Sequence, residues 1–168
     1  MNFPSPGAGD IVECRFPEKE VPGPGPKERP ALVLHAERFP DRSSHVVVAY
    51  GTSQDVDHCH PGEFTLRASE PGAGLTRDTK FDLRRAVKLP FDDTWFRVAP
   101  GKPFGEHPKR GRLNLEKPAI KRKFQAAVIE ARAAGAFEVL DLTPTDRVAQ
   151  DDKKPDPFTD ADGPKRVV

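Results

Sequence analysis

Hydrophobic and polar positions along the chain change period several times, and each change marks an element. Residues 10–16 alternate, with Ile11, Glu13 and Arg15 on one side and Val12, Cys14 and Phe16 on the other, which predicts a strand burying the second set. Residues 31–34 and 46–49 are unbroken apolar runs, the pattern of central strands covered on both faces. A fourth short strand is predicted over 63–66. Alternation returns over 79–89, with Phe81, Leu83, Val87 and Leu89 on one face and Lys80, Asp82, Arg84 and Lys88 on the other. Arg85 falls among the apolar set, which suits either a place near the strand end or an acidic partner.

The period then becomes helical. Over 118–134 Pro118 takes a permissible first position, Ile120, Phe124, Val128 and Ala131 form a stripe, and Gly135 supplies a stop. The stripe is expected to lie across the sheet. Residues 138–142 offer a last short strand. Phe91, Trp95 and Phe96 suit core packing, with base stacking as the other use of such rings.

Two stretches carry no period. Residues 17–28, PEKEVPGPGPKE, hold four prolines and cannot sustain a ladder, so a long loop is expected there, ending directly at Arg29. Residues 143–168 are polar and proline-broken, which predicts a disordered tail. Several short strands followed by one amphipathic helix indicate a mainly β domain with a helix: a small barrel or curled sheet under a helical lid, spanning 9–142 behind a flexible segment 1–8.

Composition narrows this picture. With only 36% hydrophobic residues, 19 prolines and 13 glycines, the core is expected to draw on about two thirds of the chain. Cys14 and Cys59 are the only cysteines and no secretory pattern precedes them, so a disulfide framework is not expected. No apolar run approaches the length of a bilayer span, which leads to the expectation of a soluble, cytoplasmic protein without a membrane partner.

The net charge of +1 is unevenly spread. Lys109, Arg110, Arg112, Lys117, Lys121, Arg122 and Lys123 face only Glu116 within one short stretch. Such a run suits either a solvated helix face or a surface for an acidic or polyanionic partner. Asp57, His58, Cys59 and His60 form a second polar cluster, which with His107 offers zinc-type donors at a spacing that matches no standard zinc pattern. His35 and His45 flank strands and are expected at the surface.

Three segments, GDIVECRFP at 9–17, RPALVL at 29–34 and HVVVAYGTSQ at 45–54, in this order resemble the MazF/PemK family of type II toxin–antitoxin endoribonuclease toxins, over about residues 9–137. The resemblance implies a small SH3-like barrel of the CcdB/MazF/PemK type with a C-terminal helix, usually a homodimer. It also implies metal-independent cleavage of single-stranded RNA, without a cofactor, by a toxin restrained by a cognate antitoxin protein. Carried over by motif, the catalytic residues are Arg29, Thr52 and Ser53, joined by Lys80 and Asp82 at the late-strand site some members use. Lys27, Gln54, Arg84 and Lys88 are the accompanying RNA-binding candidates. Two departures stand out: the loop before Arg29 lacks the usual histidine or glutamine, and AYG precedes Thr52 where the family commonly has proline, one residue, then TS. They leave room for a non-catalytic barrel of the same fold that binds a protein target, such as a topoisomerase, or RNA.

Overall fold

The computed structural model describes residues 1–135 and 139–144. Its elements are β1 (Asp10–Cys14), β2 (Arg29–Arg38), β3 (Ser44–Thr52), β4 (Glu63–Leu66), β5 (Thr79–Pro90), β6 (Lys109–Arg112), α1 (Pro118–Ala133) and β7 (Val139–Asp141). The strands join one sheet in the order β4-β5-β3-β2-β1-β6, every neighbouring pair antiparallel, while β7 adds to β5 in parallel. The sheet curls until the connection between β4 and β5 meets β6: Arg112 donates its backbone N–H to Gly72 (2.9 Å). Gly74 and Gly111 make that approach possible, since a Cβ on either would collide with the facing backbone. The fold is the curled β half-barrel with one helix that the pattern predicted.

Each face of the sheet carries its own core. Val12, Val33, Val48, Leu89, Phe91 and Phe96 pack on one side. Ile11, Leu32, Phe64, Phe81 and Leu83 pack on the other, beneath α1. That helix buries Ile120, Ala127 and Ala131, with Phe124 and Val128 half-covered, so the predicted stripe is the one that docks. Phe124 meets Phe64 edge-on at 5.9 Å between ring centroids. The helix ends as expected at Gly135, whose φ of 65° is the left-handed turn glycine tolerates.

Several expectations need correction. β1 is buried along its whole length rather than on one face. Ile11 enters the helix-side core, and the carboxylates of Asp10 and Glu13 stay inside because β6 brings Lys109 (3.4 Å) and Arg110 (2.7 Å) to them. The four apolar residues of β5 do not share a face. Pairing jumps from Ala49↔Ala86 to Tyr50↔Asp82, and this bulge sends Phe81 and Leu83 to the helix side but Val87 and Leu89 to the opposite core. Arg85, inside the bulge and away from the strand end, pairs with no acid among the described residues; it lies over the rings of Tyr50 (4.1 Å) and Phe16 (5.4 Å).

Residues 1–8, expected to be loose, are docked. Phe3 is buried and its N–H donates to the Phe91 carbonyl (3.2 Å). His45 is buried too, against Phe39, rather than at the surface. Phe91, Trp95 and Phe96 are buried, the packing use foreseen for them. The basic run does not form one patch: Lys109, Arg110 and Lys117 pair with Asp10, Glu13 and Glu70, and Lys123 donates to the Thr65 carbonyl. Of the expected tail 143–168, residues 145–168 lie outside the described residues, and Thr143 donates its N–H to Asp141 (2.9 Å). Among the described residues no helix is long and apolar enough to cross a membrane.

Candidate active site

The loop over 15–28 is tied at its neck. Gly25 donates its N–H to the Arg15 carbonyl (3.0 Å) and accepts from Arg15 Nε (3.0 Å), and a Cβ on Gly25 would strike the Phe16 carbonyl. This closure returns the chain to β1's partner, so that β2 begins at Arg29. Because β2 and β3 are antiparallel with Ala31 opposite Tyr50, the first residue of β2 comes alongside the last of β3. Arg29 and Thr52 are therefore neighbours by register.

They open into one cleft of about 330 Å³. Its lining comes from three places: Lys27 to Pro30 and Gly51 to Gln54 at the ends of β2 and β3, Leu75, Thr76, Arg77 and Thr79 at the entry to β5, and Arg110 from β6. Thr52 Oγ1 accepts the Gln54 N–H (3.2 Å), so its own proton remains available to a ligand. Ser53 and Gln54 are exposed. The Arg29 guanidinium sits 5.5 Å from the centre of the Tyr50 ring and pairs with no carboxylate among the described residues. Four cations line the cleft against one carboxylate, that of Glu28. Such a site favours an anion.

Tyr50 gives the AYG departure a structural role. Its ring lies between the guanidiniums of Arg29 and Arg85, with Phe16 edge-on at 5.2 Å, and Arg85 also donates to the Pro17 carbonyl (3.3 Å). Both ends of the Pro-rich loop are thus held to one aromatic ring.

The remaining sequence candidates stand elsewhere. Lys80 is opposite Thr52 in register, yet its ammonium is buried, donating to the His58 carbonyl (2.9 Å) and lying 3.4 Å from Glu63. Asp82 pairs with Arg84 (3.1 Å), and Arg84 also reaches Glu63 (3.4 Å), so neither presents a free head. Hydrogen bonding to Asp82 raises the Arg84 pKa above its ordinary value. Lys88 is opposite Val47, far back along β3, and pairs with Glu37. None of the four lines the cleft.

The histidine cluster does not assemble a donor set. His58 and His60 stack edge to face at 5.2 Å, but His107 is remote, bonded to the Pro4 carbonyl between Phe3 and Phe91. Among the described residues no group of three or more His, Cys, Asp or Glu is placed to hold a metal ion. Cys14 is buried and Cys59 exposed, both as free thiols.

Sequence reasoning did not single out Glu28, Arg77 or Arg110 as cleft residues. Arg110 had been absorbed into the basic run. Arg77 follows the turn at Gly72–Gly74, and its place just ahead of a strand whose register meets Thr52 was the available signal.

No curated protein matches the chain. The family model of PemK-like, MazF-like toxins of type II toxin–antitoxin systems matches residues 8–92, which include β1 to β5 and so Arg29, Thr52 and Arg77, but neither β6 nor α1. Since that match covers just over half of the chain, the protein belongs to the PemK-like, MazF-like toxin family of type II toxin–antitoxin systems, whose toxins have an antitoxin protein as partner.

Proposed function

We propose that this toxin is a metal-independent endoribonuclease that grips a bent phosphodiester of single-stranded RNA in the Arg29 cleft. One observation carries the reading: a guanidinium without a counter-ion and two hydroxyls, brought from different strands, line a single anion-favouring pocket. In the reaction the RNA's own 2′-hydroxyl attacks the adjacent phosphorus, and the 5′-oxygen leaves. The products are a 2′,3′-cyclic phosphate and a 5′-hydroxyl end.

The cleft supplies the charge stabilisation and the proton acceptor which that reaction needs, while the departing 5′-oxygen takes its proton from water. Arg29 holds non-bridging oxygens and stabilises the charge that grows on them, while Thr52 and Ser53 donate hydrogen bonds to the same oxygens. Glu28, the one carboxylate of the lining, takes the 2′-hydroxyl proton. Lys27 and Gln54 hold the flanking strand. Lys80, Asp82, Arg84 and Lys88, being committed to ion pairs outside the cleft, take no step. The antitoxin acts by excluding RNA from this cleft, and the toxin works as a homodimer.

The test is incubation of purified protein with a long unstructured RNA in EDTA. Wild type is expected to give fragments with cyclic-phosphate ends, and Arg29→Ala to lower the rate by roughly 10²–10³-fold. Intact RNA at large enzyme excess overturns the reading. A protein-capturing toxin without nuclease activity is less well supported: of the basic run that would serve as its contact, Lys109, Arg110 and Lys117 are paired with Asp10, Glu13 and Glu70 and Lys123 is bonded to the Thr65 carbonyl, which leaves Lys121 and Arg122 at the helix end and Arg112 exposed.

A further inference from the structure

The two arginines that sequence reasoning left out of the cleft are held differently. Arg110 gives Nη1 to Glu13 (2.7 Å) and Nε to the Gly74 carbonyl (3.1 Å), so its charge is already met. Arg77 is exposed, and among the described residues no carboxylate and no hydrogen bond engages its guanidinium. Its backbone is nonetheless braced. Thr79 Oγ1 donates to the Arg77 carbonyl (3.0 Å), and Asp78 accepts from the Ala68 N–H (2.8 Å) and from Arg67 (3.1 Å). Those bonds occupy the carboxylate next to Arg77 in the chain. The stem is fixed and the cationic head is free, as an anion subsite requires.

The sheet order sets its distance from Arg29. β3 lies between β5 and β2, so the end of β3, with Thr52 and Ser53, separates the residues entering β5 from the start of β2. Two strand spacings put the backbones at Arg77 and Arg29 on the order of 10 Å apart. That separation leaves room for two successive phosphates of a strand crossing the end of β3, one beside each guanidinium.

We propose that Arg77 is a second phosphate-binding residue, taking the phosphate next to the one held by Arg29, so that the cleft engages at least two consecutive phosphates of single-stranded RNA. The inference rests on the RNA reading above and adds to it a residue that acts in binding and not in bond breaking. Arg77 therefore contributes equally to every sequence bound, because phosphates carry no base information.

The experiment uses the full chain and a labelled pool of random-sequence 2′-O-methyl RNA 12-mers, which lack the attacking hydroxyl, with binding read by fluorescence anisotropy across a salt series. Arg77→Ala is expected to weaken binding roughly tenfold near 0.1 M salt and to reduce the slope of log K against log salt by about 0.7, one single-strand phosphate contact. Arg77→Lys should retain most of both. Lys102→Ala, which removes an exposed cation paired with Glu106 outside the cleft, should match wild type. On cleavable RNA, Arg77→Ala is expected to raise the enzyme concentration that gives half the maximal single-turnover rate roughly tenfold, whereas Arg29→Ala lowers the maximal rate itself. Unchanged affinity and salt slope in Arg77→Ala, with wild type binding RNA, overturn this inference alone. A wild type that neither binds the pool nor cuts RNA overturns both it and the nuclease reading.

Discussion

Gly51 stands where a side chain has no room: a Cβ there would collide with the Pro30 carbonyl oxygen and press on the Phe81 ring. The glycine before Thr52 is thus what lets β3 close against the start of β2. Gly51→Ala is expected to destabilise the fold by about 1–3 kcal/mol and to move Thr52 away from Arg29, so that denaturant unfolding and cleavage both fall. Glu28 yields a cleaner chemical test. Glu28→Gln keeps the size and exposed position of the side chain but cannot accept the proton, and a loss of roughly 10²–10⁴-fold in saturated cleavage rate is the expected result. An unchanged rate would remove Glu28 from the mechanism. The two thiols differ as sharply. Burial, and then the nearby Glu13 charge, push the Cys14 thiol well up, so a thiol reagent is expected to label Cys59 in the native protein and Cys14 only after unfolding.

At the scale of elements, β5 is where the sequence was hardest to read. Alternation over 79–89 gives a true strand, but period-two reasoning assumes an unbroken ladder, and the bulge opposite Tyr50 reverses the faces halfway along. That reversal is also what sends Arg85 to the Tyr50 ring and Lys80 to Glu63. Lys80 and Glu63 form a pair whose side chains are 8% and 10% exposed, tying β5 to β4 and, through the His58 carbonyl, to the turn after β3. Without Lys80 the Glu63 carboxylate keeps Arg84 (3.4 Å) and the His60 N–H (2.7 Å) as partners. Lys80→Ala is therefore expected to cost about 1–3 kcal/mol in urea unfolding while leaving the saturated cleavage rate of folded protein near wild type. A rate loss without a stability loss would restore Lys80 to the chemistry. The helix was easier, because an apolar stripe between Pro118 and Gly135 has one way to dock and its residues carry no charge that a partner must meet.

For the whole molecule, the decisive feature is that both cores are built on the same strands. Ile11 and Val12 are adjacent in β1 yet enter opposite clusters, so neither core can open without disturbing the strand that carries the other. A single cooperative transition is therefore expected in chemical denaturation of the monomeric unit, seen alike by tryptophan fluorescence at Trp95 and by far-UV circular dichroism. Phe3→Ala tests the same coupling from the N-terminal segment. Removing this buried ring, which packs edge-on to Phe91 at 5.8 Å, is expected to cost about 3–5 kcal/mol in that one transition. A separate early unfolding step would show that residues 1–8 are an appendage. Phe3 was illegible in the sequence because a lone aromatic among prolines and glycines has no period, and only Phe91 and the Asn2–Asp92 bridge give it a place.

The amino-acid sequence by itself determined the strands other than β6, which it showed only as part of a basic run, together with the helix and the motif order that carries the family, because apolar spacing and turn residues act over a few neighbours. It also determined that Arg29 and Thr52 stand at strand ends. Tertiary structure alone decided which charges are free. Among the described residues Arg29 and Arg77 keep unpaired heads in the cleft, whereas Lys80, Arg84 and Arg110 meet Glu63, Asp82 and Glu13, residues from as few as two to as many as 97 positions away along the chain. The strength of an ion pair depends on distance in space and on exclusion of water, and neither quantity is written in the spacing of residues along a chain.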